Sequence, residues 1–125
     1  MNFDNNKAIY EQIADRISDE IVMGKYRADD RIPSMREYAA LLQVNTNTVV
    51  KAYDLLTQNG IIYNKRGLGY FASADGAYRI KQQRTNVFMN DVLPEMFRQM
   101  RLLDISIDEI IKKWETMSQT SPDNV

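Results

Sequence analysis

The chain has 125 residues, 44% hydrophobic and 26% charged, the composition of an ordinary globular domain, which excludes disorder throughout. It contains no cysteine and no histidine, which excludes a disulfide scaffold, a thiolate metal site, a cysteine nucleophile and the commonest general base. The net charge of -1 taken alone argues against a nucleic-acid binder.

Residues 7–23 read as an amphipathic helix. Ile9, Ile13, Ile17 and Ile21 recur every four residues, and Tyr10, Ala14 and Val22 widen the stripe. Gly24 follows where a left-handed cap is wanted. A polar loop over 25–30 then leads to a short extended piece, Arg31-Ile32-Pro33, because Pro33 disfavours helix at Ile32. Ser34 and Glu37 fit a capping box that opens a second helix running to about Leu42, with Tyr38, Leu41 and Leu42 expected inside. Gln43-Val44 breaks it. Asn45 is placed to cap a third helix, Thr46 to Gln58, whose buried stripe is Val49, Ala52, Tyr53 and Leu56. Two helices with so short a break match a helix-turn-helix.

Two β-prone runs, 61–64 and 70–73, flank the Gly-containing stretch Lys65-Arg66-Gly67-Leu68-Gly69 and predict a hairpin with a five-residue loop. Helix, short strand, helix, helix and hairpin make a winged helix. Residues 74–85 are polar and look like a boundary, so the expected division is a winged-helix domain over 1–75 and a helical segment over 76–125. In that segment Val87, Phe88, Val92, Met96, Phe97, Met100 and Leu103 recur at helical spacing. Pro94 predicts a kink or a fresh start. Ser106 and Glu109 form a second capping box ahead of a face made by Ile107, Ile110, Ile111 and Trp114, and the chain after Gln119 is expected to fray. The predicted fold class is therefore mostly α with a small β-hairpin: a winged helix-turn-helix followed by a C-terminal helical dimerisation segment.

The charge is unevenly spread. Residues 31–73 hold 5 Lys and Arg against 2 Asp and Glu, whereas 1–30 hold 4 against 7 and 74–125 hold 7 against 8. A basic middle suits a phosphate-facing surface and a solvated face equally well. With its stripe buried, the third helix turns Thr46, Asn47, Val50, Lys51 and Asp54 outward, and a recognition helix meets bases with its N-terminal residues. Asn47 suits adenine, Thr46 a base or a phosphate, Lys51 phosphate or guanine, and Val50 a thymine methyl. Arg36 in the preceding helix faces the same way, and Lys65 and Arg66 on the hairpin tip suit a minor groove. Catalysis is disfavoured. Asp15, Asp19 and Glu20 read as a solvated helix face, Asp29 and Asp30 lie in a loop, and Gly67-Leu68-Gly69 is too short for a dinucleotide fingerprint.

The stretches Ile9–Ile13, Gly24–Tyr26, Asp30–Glu37, Val44–Tyr53, Gly60–Ile62 and Gly67–Phe71 together resemble the GntR family of bacterial transcription regulators over about residues 7–73. The short extension, Phe97 to Trp114, is similar to the YtrA-type subfamily. The resemblance implies a homodimer on inverted half-sites of double-stranded DNA, usually a repressor. It places Arg36, Thr46, Asn47, Thr48, Val50 and Lys51 at the major groove or its phosphates and Arg66 and Gly67 at the wing. Where Thr46 or Val50 stands, family members often carry Arg, which implies thinner base readout here.

The second segment has more apolar face than a small domain covers by itself, so Val87, Phe88, Phe97, Met100, Leu103, Ile107, Ile110, Ile111 and Trp114 are expected at a dimer interface. The alternative is that these helices fold back on the first helix. For the whole chain the rival reading is a winged helix that binds a protein partner without DNA. No cofactor, metal or membrane is expected. A small-molecule effector of unknown identity is allowed, with 74–85 as the expected hinge. The first six residues lack the pattern of a secretory signal and no apolar run reaches a membrane span, so the expected address is the cytoplasm.

Overall fold

The computed structural model of the chain describes residues 7–120, so the expectations for the first six residues and for the end of the tail lie outside the described residues. The order is α1 (Ile9–Val22), α2 (Met35–Leu42), α3 (Thr46–Gln58), β1 (Ile62–Lys65), β2 (Gly69–Ala72), α4 (Gly76–Val87), a π-helical turn (Phe88–Val92), α5 (Leu93–Leu103) and α6 (Ile107–Thr120). It is the winged helix-turn-helix with a helical extension expected from the sequence. The chain forms two compact units, the first ending at Arg84 and the second starting at Thr85.

The first unit is built around α1, α2 and α3. Ile13, Ile17 and Ile21 of α1 meet Tyr38 and Ala39 of α2 and Val49, Ala52, Tyr53 and Leu56 of α3, all buried. Two predicted core positions fall outside it. Ile9 opens α1 at the rim and is 47% exposed, and Leu41 is 60% exposed. In α2 the stripe is Met35, Tyr38, Ala39 and Leu42, and a step of about 100° per residue carries Leu41 to its side. The break after α2 is a left-handed Gln43 (φ 56°), with the Val44 N–H donating back to the Ala39 carbonyl at 3.1 Å.

The hairpin is tighter than expected. β1 and β2 pair antiparallel with Tyr63 opposite Phe71 and Lys65 opposite Gly69, so the loop is Arg66–Leu68 and Lys65 belongs to a strand. Gly67 (φ 79°) and Gly69 (φ 112°) take the positive φ that this closure requires. The short extended piece is present: Arg31 bridges to Phe71 on the free edge of β2, and the Ile32 N–H donates to the Tyr70 carbonyl at 2.9 Å. Tyr53 ties this edge to α3 by donating to the Pro33 carbonyl at 2.6 Å.

Most of the polar stretch 74–85 is helical. Gly76 and Ile80 of α4 are buried, and Arg84 donates to Asp19 of α1 at 2.6 Å. Most of this stretch therefore belongs to the first unit, and the border between the two units falls near its end, after Arg84. In the second unit, Pro94 has no N–H to give the carbonyl four residues back. The helix widens into the π-helical turn just before it and restarts with Pro94 in the first turn of α5. Asp104 (φ 56°) ends α5, and the predicted box caps α6: the Glu109 N–H donates to Ser106 Oγ at 3.2 Å and the Ser106 N–H to Glu109 Oε2 at 2.7 Å.

Candidate nucleic-acid interface

The second and third helices present their N-terminal turns with the capping that the sequence prescribes. Glu37 N–H donates to Ser34 Oγ at 3.1 Å while Ser34 N–H donates to Glu37 Oε1 at 3.0 Å. Those bonds, the Ser34 backbone N–H first, hold the Glu37 carboxyl below the usual carboxylate range. Asn45 caps α3 by accepting the Asn47 N–H on Oδ1 at 2.8 Å. Arg36 is therefore fixed in the first turn of α2 and Thr46, Asn47 and Thr48 in the first turn of α3.

Arg36, Thr46, Asn47 and Lys51 are exposed, whereas Thr48 and Val50 are half-buried. Val50 thus offers less surface than its outward assignment implied, because it lies beside the buried stripe of Val49, Ala52, Tyr53 and Leu56. The middle of the outward face is Asn47, Lys51 and Asp54. Asp54 is exposed one turn beyond Lys51 and sets an acidic limit on that face. Lys65, Arg66 and Gly67 are exposed at the end of the wing, together with Leu68, at 61%. Lys65 is not free at the tip: its Nζ lies 5.1 Å from the centroid of the Phe71 ring.

None of these cations is in an ion pair among the described residues. Among the described residues the five ion pairs are Lys7–Asp15, Lys25–Glu20, Arg79–Asp75, Arg84–Asp19 and Arg98–Glu95. All lie outside residues 31–73, where Arg31, Arg36, Lys51, Lys65 and Arg66 make no ion pair among the described residues. Sequence reasoning weighed four of those five as contacts and passed over Arg31.

It also missed a buried carboxylate. Glu20, expected on a solvated face, is 8% exposed. It accepts the Tyr38 hydroxyl at 2.6 Å and the Lys25 ammonium at 2.9 Å. Burial and donation to Glu20 push the Tyr38 phenol well above its ordinary value. Helical spacing could not find this site, since Tyr38 and Lys25 reach Glu20 from outside α1.

In the second unit no residue is buried among those described. Val87, Phe88, Phe97, Leu103, Ile107, Ile111 and Trp114 are exposed, the last at 60%, and Met100 and Ile110 are half-buried. Met89, Leu102 and Met117 join them, unforeseen. No described group of three acidic residues could hold a metal ion, and no described helix is long and apolar enough to cross a membrane.

Comparison with known proteins decides what this architecture is. The family model of bacterial regulatory proteins of the gntR family matches residues 9–71, half of the chain. The chain belongs to the GntR family. The uncharacterized HTH-type regulator YhcF of Bacillus subtilis is 30% identical over 117 residues, covering 94% of this chain and 95% of that protein. The repressor YtrA of Bacillus subtilis is 42% identical over 65 residues, 52% of this chain and 50% of that protein. The crystal structure of a putative GntR regulator from Bacteroides thetaiotaomicron superposes with TM-score 0.78 at 43% identity, over 91% of this chain and 100% of that one. The chain is accordingly a DNA-binding transcriptional regulator and not an enzyme, with the YtrA-type likeness expected from its short extension.

Proposed function

We propose that this GntR regulator acts in the cytoplasm as a homodimeric repressor on an operator of inverted half-sites. The winged-helix unit reads the DNA and the segment beyond it makes the dimer. The carrying observation is the placement of unpaired cations: Arg36, Lys51, Lys65 and Arg66 stand exposed on α2, α3 and the wing, and none of the five ion pairs among the described residues falls there. In this reading Arg36 and Lys51 meet phosphates, and Thr46, Asn47, Thr48 and Val50 line the major groove. Arg66 and Gly67 enter the neighbouring minor groove, and Lys65 meets the phosphates beside it. The dimer follows from the second unit, whose amphipathic helices bury none of their apolar residues within the chain. Val87, Phe88, Phe97, Met100, Leu103, Ile107, Ile110, Ile111 and Trp114 close against a second copy. The name of the YtrA relative supports repression.

The test is a fluorescence titration against duplexes selected from a random pool. With about four phosphates neutralised per subunit, the log–log salt slope is near -7. Arg36→Ala weakens binding to every sequence, whereas Asn47→Ala relaxes preference at one position per half-site by about 1–3 kcal/mol. Unchanged affinity in Arg36→Ala would overturn this docking pose. Salt-independent behaviour of the wild type would favour the protein-interaction reading instead.

A further inference from the structure

On the outer face of the wing Lys65 is joined by Arg31, which the reading above leaves unused. Residues opposite one another in an antiparallel sheet project to the same face, and so do residues two apart along a strand. With Arg31 and Tyr63 both opposite Phe71, and Lys65 opposite Gly69, one face carries Arg31, Tyr63, Lys65, Gly69 and Phe71. Its contacts bear this out. Tyr63 stacks on Phe71 with centroids 5.7 Å apart, and Lys65 sits over the same Phe71 ring. Arg31 lies on Gly69: a Cβ there would be 3.2 Å from Nε and 3.6 Å from Nη2 of Arg31. The side chain therefore leans from its own register position toward the wing tip, across the open face of Gly69.

Both cations are exposed, and the carboxylates near them are engaged elsewhere. Asp29 accepts the Tyr63 hydroxyl at 2.8 Å, and Glu37 accepts the Ser34 N–H while feeling Arg31 only as a distant charge. Two exposed cations thus flank β2 on one face, Lys65 over the Phe71 ring and Arg31 over Gly69.

We propose that Arg31 is a further DNA-contacting residue, and that Arg31 and Lys65 together seat one backbone phosphate on the outer face of the wing, setting the depth at which the tip enters the groove. This rests on the DNA-binding reading of the wing. Arg31→Gln, Arg31→Lys and Arg27→Gln are compared with the wild type on a fluorescein-labelled duplex selected by the wild type, across a salt series. Arg27→Gln removes an exposed charge nearby that is not part of this face. Losing one phosphate contact in each subunit makes the dimer's log–log slope shallower by about 1.8, which at 0.1 M salt is roughly sixtyfold in affinity. Arg31→Gln shows that loss, while Arg31→Lys and Arg27→Gln keep the wild-type slope. Wild-type slope and affinity in Arg31→Gln overturn the proposal and leave the DNA-binding reading standing, as does an equal loss in Arg27→Gln. A wild type that selects no duplex overturns that reading and the proposal with it.

Discussion

The two units of the chain have helices of similar amphipathic character and opposite fates. Every buried residue of the described chain lies between Gln12 and Ile80, and from Lys81 to Gln119 there is none. In the first unit α1 finds the faces of α2 and α3, with the hairpin and α4 closing the remaining sides. The helices of the second unit carry Phe97, Ile107, Ile111 and Trp114 into solvent. A periodic apolar stripe thus says that a face has to be covered, and says nothing of which chain covers it. One unit is stabilised from within, the other by association.

The sharpest way to break that contrast is to truncate one side chain in each unit. Ile17, 1% exposed, contacts core on all sides, and Ile17→Ala costs about 2–5 kcal/mol of stability. The loss appears as a lower denaturant midpoint that does not change with protein concentration. Trp114→Ala leaves that midpoint alone and weakens self-association by about 2 kcal/mol, roughly thirtyfold in Kd, as read by sedimentation equilibrium. A wild type that sediments as single copies at micromolar concentration, or a Trp114→Ala chain that associates unchanged, would remove the proposed division of labour.

A smaller effect probes how the reading head keeps its geometry. The Tyr38 hydroxyl links α2 to α1 through the buried Glu20. Tyr38→Phe keeps the ring and removes the donor, so the carboxylate loses a partner while keeping Lys25, and the fold loses about 1–3 kcal/mol in a denaturant titration. Glu20→Gln in the same background recovers part of the loss, because a neutral group costs less to bury with one partner missing. Equal stability of wild type and Tyr38→Phe would show that the bond contributes nothing net.

That bond also marks where the sequence stopped being legible. Local rules reached far: both capping boxes, the Asn45 cap, the left-handed Gly24 and the stripe of α3 are decided by neighbours within a few positions. So is the order of elements, and hence the winged helix. What escaped depends on partners distant in the chain. Glu20 sits on α1 among polar neighbours and is buried only because Tyr38 arrives 18 positions later. The polar stretch 74–85 reads as a boundary, and the helix within it is held by a buried Ile80 and by Arg84 reaching Asp19 of α1. Lys65 reads as a loop residue until pairing with Gly69 draws it into β1. At the interface, residue types and helix position suggested Arg36, Asn47 and Lys51. Arg31 gains its meaning only from a bridge to Phe71 some forty positions away.

The smallest effect concerns the cap of α2, and it comes with a definite pH window. Glu37 is held below its ordinary value of 4.5, first by the Ser34 N–H. A depressed folded-state value means stability that is present above about 4.5 and lost as the pH falls through the folded value. Glu37→Gln keeps an oxygen for the Ser34 N–H, so the capping box survives while the charge near the helix N-terminus is lost. The expected outcome is a wild type that melts slightly higher than Glu37→Gln at neutral pH, with the gap closing below about 4.5. Glu95, held down to about 2 by Arg98 and Gln99, titrates in both chains and cancels from the difference. Thermal midpoints of the two chains measured between neutral and strongly acid pH check this. A gap that stays constant, or widens in acid, would mean that the cap is indifferent to the charge it carries.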